Sequence, residues 1–233
     1  MVFLPVMNRI EAIAIPGPWQ KPEITSILVP ATTPHIIFII TMYTKFSIEE
    51  IKEKLKACLS YERYIHSLGT MEKAMELAER FGLNVEKAQV AGLLHDCAKC
   101  LSNEELEAFS HAFDDSEKLS CKTWHAPAGE VVARRDYGVT DEDILSSIRW
   151  HTIGKKDMTD FEKVIFLADK IENRTREIEF REKIEKALNK RNSLDDAMLK
   201  SFKMTIKSLL KRKLPICFQT IDVYNNLLEK IEK

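Results

Sequence analysis

The sequence predicts an all-α helical bundle folded as one domain, and three observations carry that prediction. Only seven glycines occur in 233 residues, against many Glu, Lys, Leu and Ile, which is too few for a turn-rich β fold. From Met42 onward the chain runs as a succession of capped amphipathic segments. No stretch alternates polar and apolar residues with the period of two that a half-buried strand requires.

The elements follow in order. Ser47 with Glu50 makes a capping-box pattern that opens a helix over 47–57. A second helix covers 61–81 and stops at Gly82. Asn84 caps the third, which runs to Lys99 and carries His95 and Asp96. Ser102 with Glu105 starts a short helix, and residues 125–136 form another, with Pro127 tolerated in its first turn. Thr140 with Asp143 opens a helix that ends at Trp150-His151, with Gly154 just beyond. Thr159 with Glu162 opens the segment bearing Asp169. Two longer helices over 177–190 and 194–212 come next, and a final one starts near Thr220.

Residues 1–41 read differently. They hold six of the eight prolines and no sustained helical period, so an irregular N-terminal extension is expected there. The run Ile36-Ile37-Phe38-Ile39-Ile40 is far shorter than the roughly twenty residues a bilayer span takes. Positive charge at the extreme N-terminus is missing, unlike in a signal peptide. The preferred expectation is that translation begins at Met42 and that residues 1–41 reflect a start codon set too early. The alternative is a short β-like or disordered surface extension.

Thirty-five basic residues face thirty-six acidic ones. That balance argues against a membrane surface or nucleic acid as the main partner, and any anionic ligand must be met by a local cluster of positive groups. The five cysteines, an odd number without regular spacing, point to reduced thiols in the cytoplasm. Cys97 and Cys100 form a C-x-x-C, but at the end of a helical pattern, whereas the redox motif opens a helix after a strand. Two small semi-buried side chains are expected there.

The chemistry concentrates at His95-Asp96, set in Ala-Gly-Leu-Leu-His-Asp-Cys-Ala-Lys. Burying an imidazole and a carboxylate unpaired costs several kcal/mol, and a cation satisfies both. Adjacent helical residues point about 100° apart, so the pair is no simple clamp on one face. The remaining ligands come from elsewhere in the chain: His66 upstream, then His125, His151 and Asp169 downstream. Taken singly each has a bland reading, as His35 and His111 do. Jointly, four of six histidines fall at the ends or apolar faces of successive helices, beside two aspartates in Ala/Leu settings. Mixed imidazole and carboxylate donors suit iron, manganese, cobalt or zinc rather than calcium or magnesium. The set needs no thiol, which weakens a structural zinc site.

These residues resemble the HD-domain metal phosphohydrolases, and within them the bacterial symmetrical bis(5'-nucleosyl)-tetraphosphatases. The stretches that carry the resemblance are Arg63-Tyr64-Ile65-His66-Ser67-Leu68-Gly69, Ala91 to Lys99, Trp124-His125-Ala126-Pro127, Ile148-Arg149-Trp150-His151-Thr152, Leu167-Ala168-Asp169-Lys170-Ile171-Glu172 and Leu214 to Ile221. Coverage runs from Tyr43 to the last residue. The resemblance implies an HD-domain bundle that splits diadenosine tetraphosphate, a dinucleoside polyphosphate, at its central anhydride into two ADP. It implies one or two ions, iron first, held by His66, His95, Asp96 and Asp169, with His125 and His151 on a second metal or on substrate phosphate. Asp96 and Lys99 would be catalytic. Arg63, Lys99, His125, His151, Thr152, Arg176 and Thr220 would meet the substrate. Relatives carry a proline after Ile-Glu where this chain has Asn173-Arg174-Thr175-Arg176; Arg176 is the first choice for the nucleotide and Arg174 the second. The resemblance is compatible with a homodimer. The competing readings are an HD phosphohydrolase acting on deoxynucleoside triphosphates, guanosine polyphosphate alarmones or cyclic nucleotides, and a non-catalytic nucleotide-sensing module.

Overall fold

Local cap chemistry sets where most of the helices begin. Ser47, Ser102 and Thr159 each close a capping box with the glutamate three residues on, so both the cap and the first-turn N–H groups are satisfied. The computed structural model describes residues 42–109, 113, 122–190 and 193–232. The expected irregular extension over 1–41 lies outside the described residues, and so do His35, His111 and Cys121. The described chain forms α1 (Ile48–Cys58), α2 (Tyr61–Arg80), α3 (Val85–Leu94), α4 (Asn103–Glu107), α5 (His125–Tyr137), α6 (Glu142–Trp150), α7 (Asp160–Ile171), α8 (Ile178–Leu188), α9 (Ser193–Lys211) and α10 (Phe218–Ile231). A 3₁₀ turn, Cys97–Cys100, follows α3. No strand occurs among the described residues.

Three boundaries differ from expectation. Asp141, not Thr140, caps α6, because its carboxylate accepts from the backbone N–H groups of both Asp143 and Ile144. α10 begins at Phe218 rather than near Thr220. The largest correction is at α3, which stops at Leu94 instead of running to Lys99. His95 closes the helix, Asp96 leaves helical geometry at φ −104° and ψ 17°, and the 3₁₀ turn takes over. The His-Asp pair therefore sits at a break, which frees the two side chains from the 100° offset of a continuous helix.

α7 is the central element. It is buried from Phe161 to Ile171 except for Lys170, as befits a helix packed on several sides, and it touches α2, α3, α6, α8 and α9. α3 is apolar around its C-terminal turns and lies between α2, α6 and α7. A Cβ on Gly92 would come within 2.9 Å of the Met71 Cα and 3.0 Å of the Thr70 carbonyl oxygen, so glycine is what lets α3 lie backbone-close on α2. That contact brings the end of α3 beside the middle of α2. α5 packs on α6 and on the 3₁₀ turn, while α8, α9 and α10 cover the other side of the core, with Phe166 of α7 stacked on Phe202 of α9 at 5.1 Å. Fully buried side chains such as Leu93, Leu94, Ile144 and Leu167 each contribute about 1.5–3 kcal/mol by leaving water. Among the described residues no helix is long and apolar enough to cross a membrane.

Candidate metal centre

The packing of α2, α3, α5, α6 and α7 delivers all six expected ligands to one place, and all six are buried. His66 comes from α2, His95 and Asp96 from the break after α3, His125 from the first residue of α5, His151 from the end of α6, and Asp169 from α7.

Asp96 divides the cluster in two. Its Oδ2 lies 3.6 Å from Nε2 of His95 and 4.0 Å from Nε2 of His66. Its Oδ1 lies 3.3 Å from Nε2 of His125 and 3.5 Å from Nε2 of His151. Asp169 joins the first half: its Oδ1 is 3.0 Å from Nε2 of His66 and 3.9 Å from Nε2 of His95. Two groups thus have donor atoms close enough to share an ion, His66-His95-Asp96 and Asp96-His125-His151, with one carboxylate common to both.

The outer ring nitrogens fix what the inner ones offer. Nδ1 of His95 donates to the Gly92 carbonyl at 2.8 Å, that of His125 to the Lys122 carbonyl at 3.0 Å, and that of His151 to the Ile148 carbonyl at 2.7 Å. A carbonyl only accepts, so the proton resides on Nδ1 and Nε2 presents a lone pair to the centre. Burial reinforces this by pushing the His95 pKa down to about 3 and that of His125 well below the imidazole range. Nε2 of His95 and His66 then face each other at 3.2 Å, and those of His125 and His151 at 3.3 Å. Inward lone pairs at such separations, flanked by carboxylates, are a donor set built for a divalent cation.

Electrostatics hold the acids ionised. Burial pushes Asp96 up, but the histidines around it, His95 foremost, outweigh burial and bring it well below the usual carboxylate range. The same contest at Asp169 is won by Lys170 and Arg176. Nζ of Lys170 is 2.6 Å from Asp169 Oδ2, while Arg176 binds Asp169 Oδ1 and donates from Nε to the Asp169 carbonyl at 2.7 Å. Nη1 of Arg63 is 3.1 Å from Asp96 Oδ2. Lys99 is half-buried, and burial lowers its pKa.

An open cleft beside this centre is lined by Glu62, Arg63, His66, Arg174, Thr175 and Arg176. Arg176 reaches inward to the ligands, whereas Arg174 makes a bidentate pair with the exposed Glu72. Thr152 follows His151 directly, and its buried Oγ1 has no hydrogen-bond partner. Thr220 is buried in the first turn of α10, and no described contact ties it to the cluster.

Sequence reasoning did not single out the groups that hold His66. Oε1 of Glu172 is 3.2 Å from its Nδ1, and Thr175 Oγ1 is 3.3 Å away. Glu172 is completely buried and also accepts from the backbone N–H groups of Arg174 and Thr175. Its position three residues after Asp169, on the same helical face, was the available signal.

The HD domain family model matches residues 63–174, a span that holds all six expected ligands. The chain is 38% identical over 187 residues to the symmetrical bis(5'-nucleosyl)-tetraphosphatase of Bacillus subtilis (strain 168), covering 77% of this chain and 97% of that protein. It is 37% identical over 182 residues to the protein of the same name from Halalkalibacterium halodurans, covering 75% and 93%. The fold matches the crystal structure of an HD superfamily hydrolase described as involved in NAD metabolism, from Clostridium acetobutylicum, with a TM-score of 0.72 and 33% identity, covering 79% of this chain and 98% of that one.

Proposed function

The chain belongs to the HD-domain family, among the symmetrical bis(5'-nucleosyl)-tetraphosphatases, and on that premise we infer that it hydrolyses diadenosine tetraphosphate to two ADP. Water adds to one of the two central phosphorus atoms, the bridging P–O bond breaks, and one ADP leaves as the other is completed. The observation that carries this reading is Asp96, whose two oxygens serve separate histidine pairs beside a cleft lined with arginines.

The family binds a divalent metal, and the inward-facing nitrogens and carboxylates of this centre fit one. We assign His66, His95, Asp96 and Asp169 to the principal ion. His125 and His151, on the other oxygen of Asp96, hold a second ion or a substrate phosphate. Iron, which the family resemblance implies, is the first assignment, with manganese, cobalt or zinc as alternatives that the same imidazole and carboxylate donors suit. Bound there, the ion supplies Lewis acidity and makes a nearby water acidic enough to attack at neutral pH.

The side chains do the rest. Asp96 orients the attacking water. Lys99 and Arg63 lie on the Asp96 side and Arg176 on the Asp169 side, where they neutralise phosphate oxygens as charge develops in the transition state. Without these cations the acidic centre would repel a polyphosphate. Thr152 offers its unpartnered hydroxyl to the substrate from the His151 side. A cytoplasmic setting suits the free thiols of Cys58, Cys97, Cys100 and Cys217.

The test is product analysis with a nucleotide panel. The metal-loaded protein is expected to convert diadenosine tetraphosphate to ADP alone. Formation of AMP with ATP, or turnover confined to deoxynucleoside triphosphates, alarmones or cyclic nucleotides, would overturn the assignment.

A further inference from the structure

The arginine-lined cleft is not the only hollow that opens at this centre. Among the described residues a second one, of about 340 Å³, is lined by Lys170, Thr175, Arg176, Glu177 and Phe180. Thr175 and Arg176 line both, so the two hollows adjoin. Lys170 and Arg176 each hold one oxygen of Asp169, which sets the second hollow against the expected metal ligands. Its volume lies in the range of about 300–1,000 Å³ that small-molecule sites occupy. The hydrolysis chemistry at Asp96 does not use it.

Three kinds of group line it. Lys170 and Arg176 bring positive charge to the end nearest Asp169. Phe180 is half-buried against the hydrophobic core, which holds the ring while leaving it open to the cavity. Glu177, three residues earlier and so on the same side of the start of α8, is exposed and does not cap that helix. Its carboxylate makes no side-chain hydrogen bond or ion pair among the described residues. Cations, a free carboxylate and an aromatic ring match a phosphate, a ribose and a base, in that order. Carboxylates accept from ribose hydroxyls, and bases stack on aromatic side chains.

We propose that this cavity seats one of the two nucleosides of diadenosine tetraphosphate, an assignment that rests on the hydrolase reading and deepens it. The adenine stacks on Phe180, the ribose hydroxyls donate to Glu177, and the adjoining phosphates meet Lys170 and Arg176. The other nucleotide then lies across Arg176, in the cleft of Arg63 and Arg174. The symmetry of the substrate calls for this division. Its scissile bond is central, so each side of the centre has to admit a whole nucleotide, whereas an enzyme of mononucleotides needs room for only one. Phe180 is thus a specificity-determining residue: it favours substrates with a second base and touches none of the reacting atoms.

Calorimetric titration of the metal-loaded full chain with ADP gives a readout that needs no turnover. Two ADP per chain are expected in the parent and one in Phe180→Leu, which keeps apolar bulk against the core but loses the aromatic ring. Phe180→Tyr is expected to restore the second. With diadenosine tetraphosphate as substrate, the loss of one stacked base is expected to raise KM about tenfold in Phe180→Leu, with the larger part of the loss in KM rather than kcat. Glu177→Ala is expected to move KM in the same direction. If the parent binds a single ADP per chain, if Phe180→Leu still binds two, or if its KM matches the parent's, the assignment is overturned, even where ADP is the product. Two ADP sites, one of them lost in Phe180→Leu, in a protein that leaves diadenosine tetraphosphate intact would instead support the nucleotide cavity and overturn the hydrolase reading.

Discussion

Oε1 of Glu172 lies 3.2 Å from Nδ1 of His66, and this buried carboxylate orients the imidazole proposed as a metal ligand. Burial alone would raise the Glu172 pKa, but its bonds to His66 and Thr175 prevail and bring it down to about 2. The remaining histidines of the centre are oriented by backbone carbonyls, so His66 is the one whose orientation rests on a side chain that mutation can remove.

Glu172→Gln keeps the shape and removes the charge. Partners of this kind are worth about 10–100-fold in metal affinity. Metal titration by calorimetry is expected to show a loss in that range, with helix content unchanged by circular dichroism. Unaltered affinity would show that the carboxylate is only a structural cap.

Gly69→Ala attacks the same contact from the opposite helix. Its Cβ would fall 2.2 Å from Glu172 Oε2 and 3.3 Å from the Arg174 Cβ, so the loop after α7 must shift. Overpacking of this sort costs about 1–3 kcal/mol. Thermal unfolding is expected to show that loss together with weakened metal binding, and a fully stable variant with native affinity would argue against the Gly69–Glu172 contact.

These relationships also show what was legible in the sequence. Capping boxes are local, so the starts of α1, α4 and α7 could be placed from Ser47, Ser102 and Thr159 alone. The six expected ligands stood out because each is polar in an apolar setting or at a helix end. The end of α3 had no local mark, since apolar residues continue through Cys97 and Ala98. The break depends on tertiary structure, with the His95 ring bonded to Gly92 and Asp96 drawn into a centre made by other helices. Glu172 was hidden for a similar reason: a glutamate at a helix end reads as solvated until Gly69, far away in the chain, makes room for it.

Arg176 tests the positive wall. It spans the cleft and the Asp169 carboxylate, so Arg176→Ala removes the proposed phosphate donor together with its contacts to Asp169 and, at 3.3 Å, to Nε2 of His66. A lost transition-state donor costs about 100- to 1,000-fold in kcat. Steady-state kinetics are expected to show a fall of that order, partly restored in Arg176→Lys. A change confined to KM would place Arg176 in ground-state binding only.

The protonation pattern predicts how chelator-treated protein responds to acid. Burial holds His95 at about 3 and lowers His125 far below the imidazole range, whereas the unfolded chain protonates both near about pH 6.5. Below that pH the unfolded state binds more protons, so stability falls on acidification by up to about 1.4 kcal/mol per pH unit for each group. His66 behaves oppositely: burial lowers its pKa, Asp169 and Glu172 outweigh burial and raise it, and its contribution is lost only as the pH rises through that raised value. Two groups outweigh one, so the melting temperature is expected to drop steadily from pH 6.5 to pH 5. A flat profile over that range would contradict the assigned protonation.

The most direct measurement is metal content and ADP release in Asp96→Ala, taken together with the parent protein. If one carboxylate serves both halves of the centre, the variant loses most of its bound metal and its conversion of diadenosine tetraphosphate to ADP falls by about 1,000-fold or more. Full metal occupancy with undiminished ADP release would contradict the account at its centre.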